Sequence, residues 1–313
     1  MSQVDVSIYV PTYNHEKYIV QALESIRMQK THYTFEVLVG EDCSTDNTRQ
    51  ILKDWEAAHQ DPRFKIFYRE QNMHKMPVGN GADLKHRCTG RYMMCLEGDD
   101  YWTDPLKLQK QVSFLDSHPD YIAVAHNCTV VDHEGNPNGE TYPECKDEEY
   151  TFSHYFSDIL PGQFATVMSR NYQLDGSVDE SLMRQRCGPG DRKVYFTLLC
   201  HGKVHCMQES MSAYRHVTTF GSSFSANYKH DYNDDELQYR KYLEYAYNLG
   251  HKTAIKYIEY LYLRTIRHAL RLGMVDRARA KEDKKRIRHP LRARLLLLKR
   301  DINCRILHKT LHV

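Results

Sequence analysis

Two adjacent carboxylates, Asp99 and Asp100, close a short apolar run in the segment CLEGDDYW. Neighbouring carboxylates repel, and a hard divalent cation relieves the repulsion. Mg2+ or Mn2+ binds through one or two such groups and keeps positions for phosphate oxygens. An acidic pair by itself is also common at turns and helix caps, so its company matters. PTYN follows the alternating run from Val4 to Val10, and GEDCSTDNT follows Phe35–Val39. Neither GxGxxG after the first run nor GxxxxGK[ST] occurs, so the two common phosphate cradles are missing and any phosphate is handled differently. In the second half, CGPGDRKVYF delivers Asp191 from a Gly188-Pro189-Gly190 turn to the start of a helical pattern. A carboxylate there reads either as a helix N-cap or as a general base, and Arg192 and Lys193 beside it favour its ionised form. The nine cysteines are odd in number and scattered without a CxxC, and they read as free thiols in a reducing cytosol.

Residues of this kind need a scaffold that brings strand ends together. The first 130 residues alternate strand and helix. Val4, Val6, Ile8 and Val10 alternate with polar neighbours, Ile19, Leu23 and Ile26 form a helical stripe, and Phe35–Val39 is a second strand. A helix runs from after Asp46 to Ala58, followed by strands at Phe64–Tyr68 and Tyr92–Leu96. Asp104 and Pro105 then open a helix buried through Leu108, Val112 and Leu115, and Tyr121–Val131 is a further strand. The pattern predicts an α/β fold with a mostly parallel sheet and helices on both faces, in which ligands sit beyond the carboxyl ends of the strands. Residues 132–219 read as loops around two or three short elements. From Asp234 to Arg288 the pattern is helical, with Ala254, Ile258, Leu261, Thr265 and Ala269 on one face and breaks at Gly250 and Gly273. Ten of the 23 tyrosines fall between Tyr214 and Tyr262, a spacing that suits packing.

The span Val6–Leu115 resembles the family-2 glycosyltransferases through VSIYVPTYNHEKYIVQALESI, FEVLVGEDCSTDNT and EGDDYWTDPLKLQKQVSFL, in the family's order and spacing. The resemblance is strong over residues 5–130, fair to about 220 and absent beyond. It implies a GT-A (Rossmann-like) nucleotide-sugar-binding fold over 1–225, with a nucleotide-sugar half (1–130) and an acceptor-side half (131–225), then a helical region over 226–313. It also implies that Pro11, Thr12, Tyr13, Asn14, Glu41, Asp42 and Asp99 contact the donor: Tyr13 stacks on the base, Glu41 accepts a hydrogen bond from it, and Asp99 reaches the ribose or sugar. Asp100 then holds Mn2+ or Mg2+, with His216 as a further metal candidate that reads equally as a structural histidine. Asp191 matches the family's base, and Thr166, Arg170 and Arg215 fall on the acceptor or diphosphate side.

These parts imply an inverting transferase that moves a sugar from a nucleotide diphosphate, with UDP expected, to a hydroxyl of a glycan or lipid-linked glycan. A nucleotidyltransferase acting on sugar phosphates and a non-catalytic sugar-nucleotide scaffold are the alternatives. A strand-end Asp100 is expected to be replaceable without loss of the fold. Net charge is +2 overall, but residues 264–313 carry +12 and the rest −10. The basic tail, with LRARLLLLKRDINCRIL in it, fits an anionic membrane surface, packing on the body, or a second copy of the chain; nucleic acid is not expected. The longest aliphatic run is Leu295–Leu298, far below the roughly 20 residues of a membrane span, and the opening MSQVDVSIYV has no leader pattern. The expected place is the cytoplasm, peripheral on the membrane's cytoplasmic face if the tail docks there.

Overall fold

The computed structural model describes residues 4–74, 76–217 and 231–298. Its strands are β1 (Val6–Thr12), β2 (Phe35–Glu41), β3 (Phe64–Tyr68), β4 (Tyr92–Cys95), β5 (Tyr101–Trp102), β6 (Tyr121–Val131), β7 (Glu149–Tyr150), β8 (Met168–Arg170) and β9 (Lys203–Arg215). They form one sheet in the order β3-β2-β1-β4-β8-β6-β9-β5, with β7 paired to β9. The β3-β2-β1-β4 half is parallel, β8 runs antiparallel to both β4 and β6, and β6 is parallel to β9. Among the helices, α1 (Ile19–Arg27), α2 (Thr48–His59), α3 (Asn80–His86) and α4 (Lys107–Ser117) alternate with the first strands, and α5 (Phe152–Phe156) follows β7. One face of the sheet, Val6, Ile8, Val10, Val37 and Val39, joins Ile19, Leu23, Ile26, Leu108, Val112 and Leu115 in one buried cluster. On the other face α3 lies so close that a Cβ on Gly40 would collide with Asn80 and Leu84. Both faces are therefore covered, which is why β1 is apolar almost throughout.

The chain divides into two compact units. One holds residues up to 154, 158–178 and 201–228; the other holds 155–157, 179–200 and the chain after 228. In the second, α6 (Gly190–His201) accompanies α7 (Tyr232–Asn248), α8 (Lys252–Arg271) and α9 (Arg277–Lys284). Buried Tyr232, Tyr242, Tyr245, Tyr260 and Tyr262 make this unit's tyrosines packing residues. Gly250 takes φ +64 and Gly273 φ +71, left-handed turns that end α7 and α8 where expected. Glu259 on α8 is fully buried and binds the following chain: Oε2 accepts from Arg292 (2.7 Å) and Oε1 from His289 N–H (2.9 Å). The tail as far as residue 298 is thus packed within this unit, and the expected segment over 299–313 lies outside the described residues.

Two boundaries differ from expectation. α4 begins at Lys107, because Asp104 accepts from Leu106 N–H (2.7 Å) in a turn that precedes the helix. The loop-rich reading of 132–219 missed the 13-residue β9. Its polar, bulged sequence KVHCMQESMSAYR hides the alternation that marks a strand.

Candidate active site

The three polar segments converge because β1, β2 and β4 are parallel neighbours, so their carboxyl ends share one edge. Main-chain bonds stitch the loops that leave them. Asp42 N–H donates to Thr12 O (3.0 Å), and Gly98 N–H donates to Pro11 O (3.2 Å). Asn14 stands at φ +58, and its Oδ1 accepts from Thr45 N–H (2.8 Å), holding the second loop. Tyr13 is half-buried at the same edge.

Glu41, expected to accept from the base, is engaged within its own loop. Its carboxylate is fully buried, with Oε1 accepting from Ser44 N–H (2.6 Å) and Oε2 from Arg49 Nε (2.5 Å), so it shapes the loop. Asp42, 7% exposed, is less fully engaged. Met73 N–H donates to its Oδ1 (2.8 Å), no donor among the described residues takes Oδ2, and burial raises its pKa.

The acidic pair splits into an anchored member and an open one. Asp100 is only 2% exposed; its Oδ1 accepts from Arg215 N–H (2.8 Å) and its Oδ2 from Gln163 Nε2 (2.9 Å). Asp100 is thus a buried residue, against the expectation that a strand-end carboxylate lies outside the core. Asp99 stays partly open, with Oδ2 3.8 Å from His15 Nε2, and His15 Nδ1 is 3.1 Å from Thr12 Oγ1. His15 is a site residue the sequence did not mark; its place in PTYNH beside a strand end was the available signal. Gly98 is another, since a Cβ there would sit 2.7 Å from both His15 Nδ1 and Thr12 Oγ1. Burial, and then the charges of Asp99 and Glu97, push the Asp100 carboxyl well above the usual range. Carboxylates this crowded, all with oxygen donors, fit a hard divalent cation.

The residues expected on the acceptor side are engaged elsewhere. Arg215 donates through Nε to Asp99 O, through Nη1 to Asp132 O and His133 O, and through Nη2 to Gln21 Oε1 (2.9–3.0 Å). Its guanidinium also stacks 4.3 Å from the Tyr18 ring. With four of its five guanidinium donors placed in this way, Arg215 braces the acidic pair. Arg170 caps the end of α4, donating to Leu115 O (2.7 Å) and Tyr121 O (2.8 Å). Thr166 is fully buried and closes a turn on Gln163 O (2.7 Å). His216 Nδ1 meets Glu140 Oε2 at 2.5 Å, an ion-pair geometry that supports the structural reading of this histidine.

In the second unit Asp191 is the second residue of α6, past the N-cap position, so the N-cap reading falls. Its Oδ1 accepts from Arg192 N–H (2.7 Å). Burial, the leading influence, raises its pKa and outweighs the lowering by Arg192, reversing the expected effect of the flanking cations. A carboxylate of raised pKa is a stronger base than an ordinary one.

Comparison with known proteins gives this geometry a lineage. The chain is 31% identical over 210 residues to the uncharacterized protein Rv1520 of Mycobacterium tuberculosis, covering 67% of this chain and 58% of that one. It therefore spans under two thirds of the relative's length. Escherichia coli chondroitin synthase is 29% identical over 209 residues, covering 64% of this chain and 29% of the synthase. The crystal structure of Staphylococcus aureus TarS 1-349 in complex with UDP-GlcNAc superposes with a TM-score of 0.62 at 19% identity, covering 82% of this chain and 70% of TarS. That likeness establishes the GT-A fold. The Glycosyl transferase family 2 profile matches residues 7–171, more than half of the chain, and the chain belongs to that family.

Proposed function

We propose that the protein is an inverting glycosyltransferase that uses a UDP-sugar and glycosylates a hydroxyl of a glycan or lipid-linked glycan. The observation that carries this reading is the stitched rim of three strand-end loops with Asp99 open and Asp100 anchored behind it, in a family 2 chain. The UDP-GlcNAc complex of TarS supports the choice of nucleotide. Tyr13 and Asp42 bind the base, Asp42 through the Oδ2 that no donor among the described residues takes. Asp99 binds the ribose or sugar, and Thr12 and Asn14 set the loop that presents them.

The acceptor oxygen attacks the anomeric carbon, its proton passes to the Asp191 carboxylate, and the bond from that carbon to the diphosphate oxygen breaks with inversion. A general base of this kind contributes typically about 10²–10⁴-fold. Mg2+ or Mn2+ held by Asp100 and Asp99 would supply charge neutralisation at the diphosphate. The brace of Arg215 and the amide of Gln163 keep the acidic pair in place.

The test is a panel of nucleotide sugars with a polysaccharide or lipid-linked acceptor, following nucleoside diphosphate release and glycosylated product. Acceptor-dependent UDP release with product supports the proposal. Pyrophosphate in place of UDP would reassign the chain to nucleotidyl transfer, and donor binding without turnover would make it a scaffold.

A further inference from the structure

α4 turns two polar side chains inward. Lys107 and Gln111 stand one helical turn apart on its buried face, beside Leu108 and Val112, and neither has any exposed surface. The Lys107 amine donates to Gln111 Oε1 (2.7 Å), approaches Met94 Sδ at 3.7 Å and lies 4.3 Å from the centre of the Trp102 ring. None of these partners is a carboxylate, and burial pushes the amine's pKa well below the ordinary lysine range. A methionine would fill the same space without that desolvation cost, so the nitrogen calls for a role beyond packing.

The hydrogen bonds beyond it lead to the acidic pair. Gln111 Nε2 donates to Thr166 O (2.8 Å) and to Val124 O (3.2 Å). Thr166 N–H (2.8 Å) and Oγ1 (2.7 Å) both donate to Gln163 O. Gln163 Oε1 accepts from Ala165 N–H (2.7 Å), which turns its Nε2 toward Asp100 Oδ2 (2.9 Å). Gly162 leaves this turn no slack, since a Cβ there would sit 2.3 Å from Thr166 Oγ1 and 2.5 Å from His126 O. Every member of the chain is at most 4% exposed, so water offers no substitute for a broken link.

We propose that Lys107 and Gln111 are positioning residues for the Asp100 carboxylate, and that they set its affinity for the divalent cation through the Gln163–Thr166 turn. The inference rests on the reading of Asp100 as a metal ligand and deepens it. Each link runs from donor to acceptor in one sense, from the amine to the carboxylate. Reversing the Gln111 amide would face its oxygen to Thr166 O and Val124 O, and reversing that of Gln163 would face its oxygen to the Asp100 carboxylate. Lys107 is the donor that holds Gln111 in the working sense, as Ala165 N–H holds Gln163. Asp100 takes Gln163 on Oδ2 and Arg215 N–H on Oδ1, and each oxygen keeps a second lone pair for a cation. The amine also seats the Trp102 ring, two residues past Asp100, and so bears on the acidic loop by a second route.

The test uses the full-length protein with UDP present, titrated with Mn2+ well below the lowest Tm while free Mn2+ is followed by electron paramagnetic resonance. The wild type should bind Mn2+. Lys107→Met should bind it about tenfold more weakly, and Gln163→Met about 10–100-fold more weakly. Thr166→Val, of unchanged shape, should weaken binding severalfold and tests the middle link should Lys107→Met fail to fold. Val112→Ala, which removes core volume from the same helix, should lower Tm and leave Mn2+ affinity unchanged. A merely structural role for Lys107 would not separate these two α4 variants. Absence of Mn2+ binding by the wild type would sink the metal reading and the inference with it. Wild-type binding that Lys107→Met leaves unchanged (or Thr166→Val, if the lysine variant does not fold), or that Val112→Ala weakens as much, would overturn the inference alone.

Discussion

At Asp100 two roles coincide in one side chain, and their separation is measurable. Asp100→Ala leaves Arg215 N–H and the Gln163 amide without an acceptor in a buried place. An unsatisfied buried donor costs about 1–3 kcal/mol, so this variant should lose both transfer and thermal stability. Asp99→Asn should lose transfer with Tm nearly unchanged, because the Asp99 side chain is partly open and, among the described residues, meets only His15, at 3.8 Å. Calorimetry beside a UDP-release assay checks both; a wild-type Tm for Asp100→Ala would refute the anchored role. Asp191 carries the second prediction. As base it must be ionised, and burial raises its pKa, so kcat/KM should fall as pH drops through a value above the ordinary carboxylate range. Asp191→Asn should lower transfer by about 10²-fold or more with donor affinity retained. A raised folded-state pKa means that the ionised form costs stability above that pKa, a cost that fades as pH falls through it. Neutralising the group should therefore not lower Tm at neutral pH. Normal transfer by this variant would leave the base unassigned.

Among the elements, what could be read from sequence was whatever leaves a periodic trace. The parallel strands β1, β2 and β4 with their helices were legible because burial on both faces makes the strands apolar and the helices striped. The three polar segments then fell at one edge by topology alone. β9 was not legible, since bulges against β6 break its alternation. With it went the meaning of Arg215, whose partners are mostly backbone carbonyls that no motif encodes. The Glu41–Arg49 bond was hidden for a related reason: a conspicuous carboxylate after a strand says nothing about Arg49 eight residues on. Gly98 shows how tightly two loops meet. Gly98→Ala would press on Thr12 and His15 and should weaken UDP-sugar binding about tenfold, ~1.4 kcal/mol, with the fold kept. Calorimetric titration of donor tests this, and unchanged affinity would show that the first loop yields without consequence.

Across the whole molecule the charge is asymmetric, +12 over residues 264–313 against −10 before them. The tail to residue 298 is not a detached basic arm, since Ala293 and Leu297 are buried and Arg292 pairs with Glu259. Removing residues 275–313 would thus take packing residues with it. The helical stretch 290–298 nevertheless leaves Leu291 72% and Leu295 67% exposed, on one face at i and i+4. We propose that this face, among basic neighbours, rests in an anionic membrane interface. No helix among the described residues is long and apolar enough to cross a membrane. Leu291→Gln with Leu295→Gln should lower binding to phosphatidylserine vesicles severalfold without lowering Tm; undiminished binding would refute the docking face.

The bonds that join the loop of Pro11 and Thr12 to those of Asp42 and Gly98 run from main chain to main chain. These two bonds are indifferent to side-chain identity, and of the rim side chains it is Asn14 and Glu41 that hold the loops. Substitution at rim positions such as Tyr13 should change which donor is accepted while the loops keep their places. Side chains can then be exchanged on a fixed lattice, so donor preference is the property of this protein most open to redesign, and Gly98 is the rim position least open to it.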